Sequence, residues 1–276
     1  MYRFISWLLG TSIFAAACAL ALTLGTERLL QGRLLPLLSP LHLLVAGCTL
    51  AEYNVHYLLN TRAPLQRHGA GYSRWWHPAL CIAGGILCII ALPSLSRNLI
   101  VLLAVSGCFA LLYSAPVLPF RPKRSVNDYG ITKISVLTIT WVVVTTVFPA
   151  LYLKLPWNAA GAELLWRALL ILPLCLAFDL RDVIADRQRG IQTLAGALGE
   201  AGSYRSVYVI LVLLAAAAGA LYFFISPDYL RAGTIVLVAA VAMAAVSYSR
   251  RHPHPFVYSG LVDGVMLLYG FLMTIK

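Results

Sequence analysis

The chain has 276 residues, 61% of them hydrophobic and only 11% charged, a composition that excludes an ordinary soluble domain and reads as an integral membrane protein. Its formal net charge of +11 does not point to nucleic acid, because the basic residues sit in short connections between apolar runs rather than on one amphipathic face. They read as topology signals and as contacts for lipid or phosphate head groups.

Nine apolar runs follow one another, each bounded by charge, proline or glycine. They cover about 4–24, 34–59, 77–95, 97–114, 131–153, 162–178, 203–225, 229–249 and 256–275, and predict nine transmembrane helices in an all-α bundle around a central cavity. The first run follows Arg3 and resembles a secretory signal, but its length of about twenty residues fits a first spanning helix better. Assigning the connections by parity puts fourteen basic residues on the N-terminal side, among them Arg62, Arg67, Arg74, Lys123, Arg124, Lys133, Arg187 and Arg189. Seven fall on the other side: Arg28, Arg33, Arg97, Lys154, Arg167, Arg231 and Lys276. This excess places the N-terminus in the cytoplasm and the C-terminus outside.

At the end of the second run Glu52, His56 and Asn60 recur at i, i+4 and i+8, within an arc of roughly 80° on a helix. The strip reads either as the wall of a polar cavity or as a hydrogen-bonded packing pair of Glu52 and His56. The fourth run ends in Tyr113-Ser-Ala-Pro116, followed by the basic loop Arg121-Pro-Lys123-Arg124. That loop is either a positive-inside anchor or a set of cations that neutralise a diphosphate. Lys133, at the start of the fifth run, divides between the same diphosphate role and snorkelling to the interface.

The sixth run leads directly into Asp179-Leu-Arg-Asp182-Val-Ile-Ala-Asp186-Arg187-Gln-Arg189-Gly190-Ile-Gln-Thr193-Leu. If the helix continues, Asp179, Asp182 and Asp186 lie within roughly 60° of one another at ~100° per residue. Three acids beside hydrocarbon require water, a cation or a cationic partner. A hard divalent ion such as Mg²⁺ bridging to phosphate satisfies that chemistry; a solvated helix end whose acids pair with Arg181, Arg187 and Arg189 is the plain alternative. Asp263, well inside the last run, reads as a structural or cavity-lining acid.

The six cysteines lie within apolar runs without a C-x-x-C pair and read as packing residues. A few of the thirty aromatic residues, if they line a dry cavity, suit a carbocation. Tyr113-Ser114 and Tyr248-Ser249 stand 135 positions apart, and the polar ends of the second and sixth runs 126 to 127. One domain over 1–276 follows, with an internal repeat of helices 1–4 and 5–8 plus a ninth helix.

The stretch 179–194, D-x-x-D-x-x-x-D followed by G-I-x-T-L, resembles the second aspartate-rich motif of the UbiA superfamily of intramembrane prenyltransferases. Leu-Tyr-Ser-Ala-Pro at 112–116, the basic loop after it and the nine runs resemble the family as well. The resemblance implies that an isoprenyl diphosphate is bound through Mg²⁺ on Asp179, Asp182 and Asp186 and that its prenyl group passes to a lipophilic or aromatic acceptor. Asp182, Tyr113 and Lys133 are the implied catalytic residues. Glu52, His56, Asn60, Arg62, Lys123, Arg124 and Arg187 are the implied substrate-binding set. The family's first motif, N-x-x-x-D-x-x-x-D, is here Glu52-x-x-x-His56-x-x-x-Asn60, which keeps the spacing without the aspartates. His suits Mg²⁺ poorly. Two readings follow: an Mg²⁺-dependent prenyltransferase of a bacterial inner membrane, or a catalytically degenerate relative that binds a prenyl lipid or a membrane partner. The first predicts release of diphosphate; the second does not.

Overall fold

The computed structural model describes residues 7–9, 12–59, 76–114, 130–188, 190–224 and 228–275. Asn60, Arg62, Lys123, Arg124 and Arg189, all expected near the site, lie outside these.

Nine helical rods account for the described apolar runs: α1 (Ile13–Gln31), α2 (Pro40–Leu59), α3 (Trp76–Ala91, extended by a 3₁₀ turn at Leu92–Ser94), α4 (Arg97–Ser114), α5 (Gly130–Val142, a π segment at Val143–Val147 and Phe148–Tyr152), α6 (Trp157–Gln188), α7 (Leu194–Phe224), α8 (Tyr229–Arg251) and α9 (Pro255–Val257, a π segment at Tyr258–Val262 and Gly264–Ile275). Helix is the expected state, since a backbone in lipid must satisfy its own N–H and C=O groups. Seven of the nine are long and apolar enough to cross a membrane. The remaining two, α2 and α6, carry Glu52, His56 and the aspartates.

Boundaries shift where polar residues find partners. Rather than ending at 24, α1 runs on to Gln31, because Glu27 is buried against His42 Nε2 (2.8 Å) and the Leu35 amide (3.0 Å). It stops at Gly32, whose φ of 74° lets its N–H close back on Arg28 O. With 32 residues, α6 is about 48 Å long and carries the acidic motif as helix beyond the hydrocarbon. Its far end turns at Gly190 (φ 71°). The next helix starts at Leu194, not at 203, and kinks at Gly199.

The most extensive contacts join α2 to α3, α1 to α9, α6 to α7 and α7 to α8. Two of these pairs meet backbone to backbone. A Cβ on Gly270 would lie 2.2 Å from the carbonyl carbon of Ala21, and one on Gly84 would lie 2.6 Å from Gly47 O. Small residues at such crossings allow the van der Waals contact that holds helices together in lipid. The outer faces of α3 and α4 carry exposed Ile82, Ile86, Ile89, Val101, Val105 and Phe109, as a lipid-facing surface requires.

Candidate functional site

The turn after α6 explains why the acidic motif ends as it does. Gly190 reverses the chain, and Thr193 Oγ1 accepts the Gly196 N–H at 3.0 Å, as an N-cap does. Asp179, two and a half turns before the end of α6, reaches across so that its Oδ2 accepts the Ala195 N–H at 3.0 Å. The first turn of α7 is therefore capped twice, once from its own chain and once from the motif.

The other oxygen of Asp179 faces Lys133. From the first turn of α5, Lys133 Nζ lies 3.3 Å from Asp179 Oδ1 and 3.1 Å from Asp186 Oδ2. The contact to Asp186 has hydrogen-bond geometry. The contact to Asp179 is an ion pair only, and leaves Oδ1 buried without a hydrogen-bond donor. Asp182 holds a bidentate pair with Arg181 (Nε–Oδ1 2.7 Å, Nη2–Oδ2 3.0 Å), and that guanidinium lies over the rings of Phe178 (4.9 Å) and Tyr258 (5.6 Å). Arg187 is exposed at the end of the helix.

His56 on α2 bonds Ser114 Oγ through Nδ1 at 3.1 Å, and its ring lies 5.6 Å from that of Tyr113, which is buried. Lys133 is within electrostatic reach of His56. Glu52, Asp182 and Asp186 act on Tyr113 through their charge only. The bundle thus gathers Glu52, His56, Tyr113, Lys133 and the aspartates at one end, although they come from four helices.

A small cavity of about 20 Å³ lies deeper, between α2 and α5, lined by Thr49, Glu52, Tyr53, Leu137, Thr140, Trp141 and Val144. Lys133, Leu137, Thr140, Trp141 and Val144 follow one helical stripe on α5. The cavity's α5 wall therefore begins on the same face as the lysine, one turn, about 6 Å, further along the helix. Tyr53 and Trp141 meet edge to face at 6.4 Å. Sequence reasoning missed Tyr53, Thr140 and the walling role of Trp141; the stripe from Lys133 was the available signal.

Equally unforeseen is a second polar cluster around the fully buried Arg167. Its Nη2 donates to Glu163 Oε1 (2.6 Å), Thr26 Oγ1 (2.9 Å) and Leu22 O (3.3 Å), and its Nη1 to Thr145 Oγ1 (3.3 Å). Glu163 also receives Arg231 Nη2 (3.2 Å) and Tyr269 Oη (3.2 Å). Asp263, expected to be structural or to line the cavity, sits half-buried at the break between the two parts of α9, where its carbonyl accepts from Cys18 Sγ at 3.4 Å.

These features define an all-helical integral membrane protein with an ionic pocket at one end of the bundle. Its fold is that of the UbiA homologs. A UbiA homolog from Archaeoglobus fulgidus, solved bound to GPP and Mg²⁺, superposes with a TM-score of 0.63 over 98% of this chain and 100% of its own, at 12% identity. One from Aeropyrum pernix K1, without ligand, gives 0.61 over 95% and 97%, at 15% identity. A structure of digeranylgeranylglyceryl phosphate synthase gives 0.57 over the full length of both chains, at 13% identity. No protein-family model and no curated protein matches the chain by sequence.

The Archaeoglobus homolog has also been solved with Cd²⁺, so the fold accommodates divalent ions elsewhere. In this chain the carboxylate oxygens are of the right chemical kind, but they are already engaged. Mg²⁺ demands near-octahedral oxygen ligands at ~2.0–2.1 Å. Here one oxygen of Asp179 caps α7, Asp179 and Asp186 enclose an ammonium, and Asp182 is turned to Arg181. Among the described residues no three His, Cys, Asp or Glu side chains converge to hold an ion. As folded, the motif does not fit a divalent metal.

Proposed function

We propose that the chain transfers a prenyl group from an isoprenyl diphosphate to a lipophilic or aromatic acceptor within the membrane. The observation that carries this reading is the alignment on one face of α5 of Lys133, which meets the aspartates, with the residues that line the aromatic cavity one turn further on, on a fold whose solved examples include one bound to GPP. The cation at the first suits a diphosphate by charge, and the apolar and aromatic lining of the second suits a prenyl chain by chemistry.

Each residue then has a task that its position supports. An ammonium has three N–H donors; Asp186 accepts one, Asp179 stands beside it as an ion pair only, and we assign another to a phosphate oxygen. Charge on that oxygen grows as the allylic C–O bond breaks and its electron pair leaves with the diphosphate, so a fixed cation there favours the transition state. The ring faces of Tyr53 and Trp141 stabilise the allyl cation, and the surrounding Leu137 and Val144 keep water from quenching it. The acceptor supplies the electron pair of the new bond and releases a proton, for which Glu52 is the carboxylate in the cavity wall. Arg187 is assigned to binding the diphosphate as well, and the sequence adds Arg62, Lys123, Arg124 and Asn60, which lie outside the described residues.

We place this site on the cytoplasmic side of a bacterial inner membrane, with the N-terminus on that side, the C-terminus outside and the whole chain as one domain of four, four and one helices. The basic connections support that orientation.

The test is turnover. Purified protein in nanodiscs, given prenyl diphosphates of increasing length and a panel of phenolic and lipid acceptors, is expected to release inorganic diphosphate together with a prenylated product. Saturable binding of a prenyl lipid with no diphosphate released from any donor would replace this reading with that of a degenerate binder.

A further inference from the structure

We propose that Lys133 is the resident cation of the aspartate motif, a tethered ammonium occupying the place that a divalent ion would otherwise take, so that Asp179 and Asp186 bind no metal in the native protein. The inference rests on the proposed function only for its meaning in catalysis; its physical content concerns the aspartates alone.

Three observations carry it. The ammonium lies between Asp179 Oδ1 and Asp186 Oδ2, at 3.3 and 3.1 Å, with the lysine side chain only 13% exposed. An ammonium that left them for a metal would have to remain charged inside the bundle without its counter-ions, which is costly. Second, the remaining oxygen of Asp179 is committed to the Ala195 amide. Withdrawing it into a coordination sphere would uncap α7. Third, the motif already carries cations of its own. Lys133 and Arg181 bring two positive charges to three carboxylates, which leaves only −1 on the motif to attract a divalent ion. At the other half of the pocket, His56 occupies a place where carboxylate oxygen is what a hard ion prefers.

Competition gives the magnitude. A cation within ~4–6 Å changes a carboxylate's affinity for a proton by roughly 10- to 1000-fold, and a divalent ion seeking the same oxygens meets at least that opposition. Mn²⁺ serves as the probe, read by electron paramagnetic resonance on detergent-solubilised protein. The native chain is expected to show no Mn²⁺ bound more tightly than an Asp186→Asn variant shows. Lys133→Met, which keeps length without charge, is expected to bind Mn²⁺ at least ~10-fold more tightly than the native chain, and Lys133→Met with Asp186→Asn is expected to lose that gain. Tight Mn²⁺ binding by the native protein that Asp186→Asn abolishes would overturn the proposal, and this comparison does not depend on Lys133→Met folding. If Lys133→Met folds but gains no site, the proposal also fails. Geranyl diphosphate binding with EDTA present separates the two readings. Donor bound without metal supports both; a donor that binds neither with nor without Mg²⁺ removes the prenyl-transfer reading and leaves the Mn²⁺ result to decide this one.

Discussion

Glu52 and Arg167 illustrate how two ionisable side chains in one membrane bundle serve different ends. Glu52 lines the cavity beside Tyr53 and Trp141. As a proton acceptor it contributes to turnover and little to holding the donor. Glu52→Gln is therefore expected to lower product formation by about 100-fold or more, the usual weight of a general base, with donor affinity within a few-fold of the native value. An equal loss of affinity, measured by calorimetry, would make Glu52 a binding residue instead. Arg167 is fully buried, and its guanidinium ties Glu163 to Thr26, Thr145 and Leu22. It lies twelve positions before Asp179 on the same helix, about 18 Å along the axis, too far to take part in the same chemistry. Breaking a buried pair by removing one partner costs about 3–5 kcal/mol. Arg167→Met is expected to lower the thermal midpoint in detergent sharply, while the fraction that stays folded keeps its donor affinity.

At the scale of the helix, adjacent glycines make a controlled comparison. Gly84 and Gly85 are neighbours on α3, but a Cβ at 84 meets Gly47 O at 2.6 Å and Ala51 N at 2.7 Å, whereas one at 85 meets nothing within 4 Å. Overpacking of this kind costs roughly 1–3 kcal/mol. Gly84→Ala is therefore expected to lower stability against denaturing detergent, by pushing α2 away from α3. Because α2 also carries Glu52 and His56, the same variant is expected to disturb donor binding. Gly85→Ala gains helix propensity of up to ~1 kcal/mol without a clash and is expected to be neutral or stabilising. If both variants lose stability equally, the close α2–α3 crossing is not what holds this pair. Neither glycine stands out in the sequence; their difference arises only from which side of α3 faces the partner. The turn between α6 and α7, by contrast, was written locally. Gly190 and Thr193 supply the reversal and the cap, and the only hidden element is that Asp179, sixteen residues from Ala195, completes it.

Across the whole molecule, legibility followed the range of the interaction. A bilayer demands about twenty apolar residues for each helix that spans it, so the helical class and the approximate position of each rod could be read from runs of residues. Partners distant in sequence could not. Lys133 and Asp186 stand 53 positions apart and Arg167 and Thr26 stand 141 apart, with no periodicity to announce either pair. Parity counting gave Arg167 and Arg231 to a solvent-facing connection, yet Arg167 has no exposure and Arg231 donates to the buried Glu163. Treated alike, Arg167 and Arg231 on one side and Lys133 and Arg181, which pair with the aspartates, on the other leave twelve basic residues against five. The outcome turns on α2 and α6, which are absent from the seven helices that qualify as spans on length and apolarity. Their polar side chains point into the bundle, where His42, Glu163, Arg167 and Asp179 are all buried, so lipid is not asked to solvate them and both helices can cross. If both cross, nine passes put the termini on opposite sides. Fusions of a reporter active only outside the cytoplasm are expected to be silent after Gln188, at the end of α6, and active after Lys154 and Lys276. Activity after Gln188 together with silence after Lys276 would invert the whole molecule and turn the ionic pocket outward. The same sign at both termini would mean that one helix, with α2 or α6 the first to check, fails to cross.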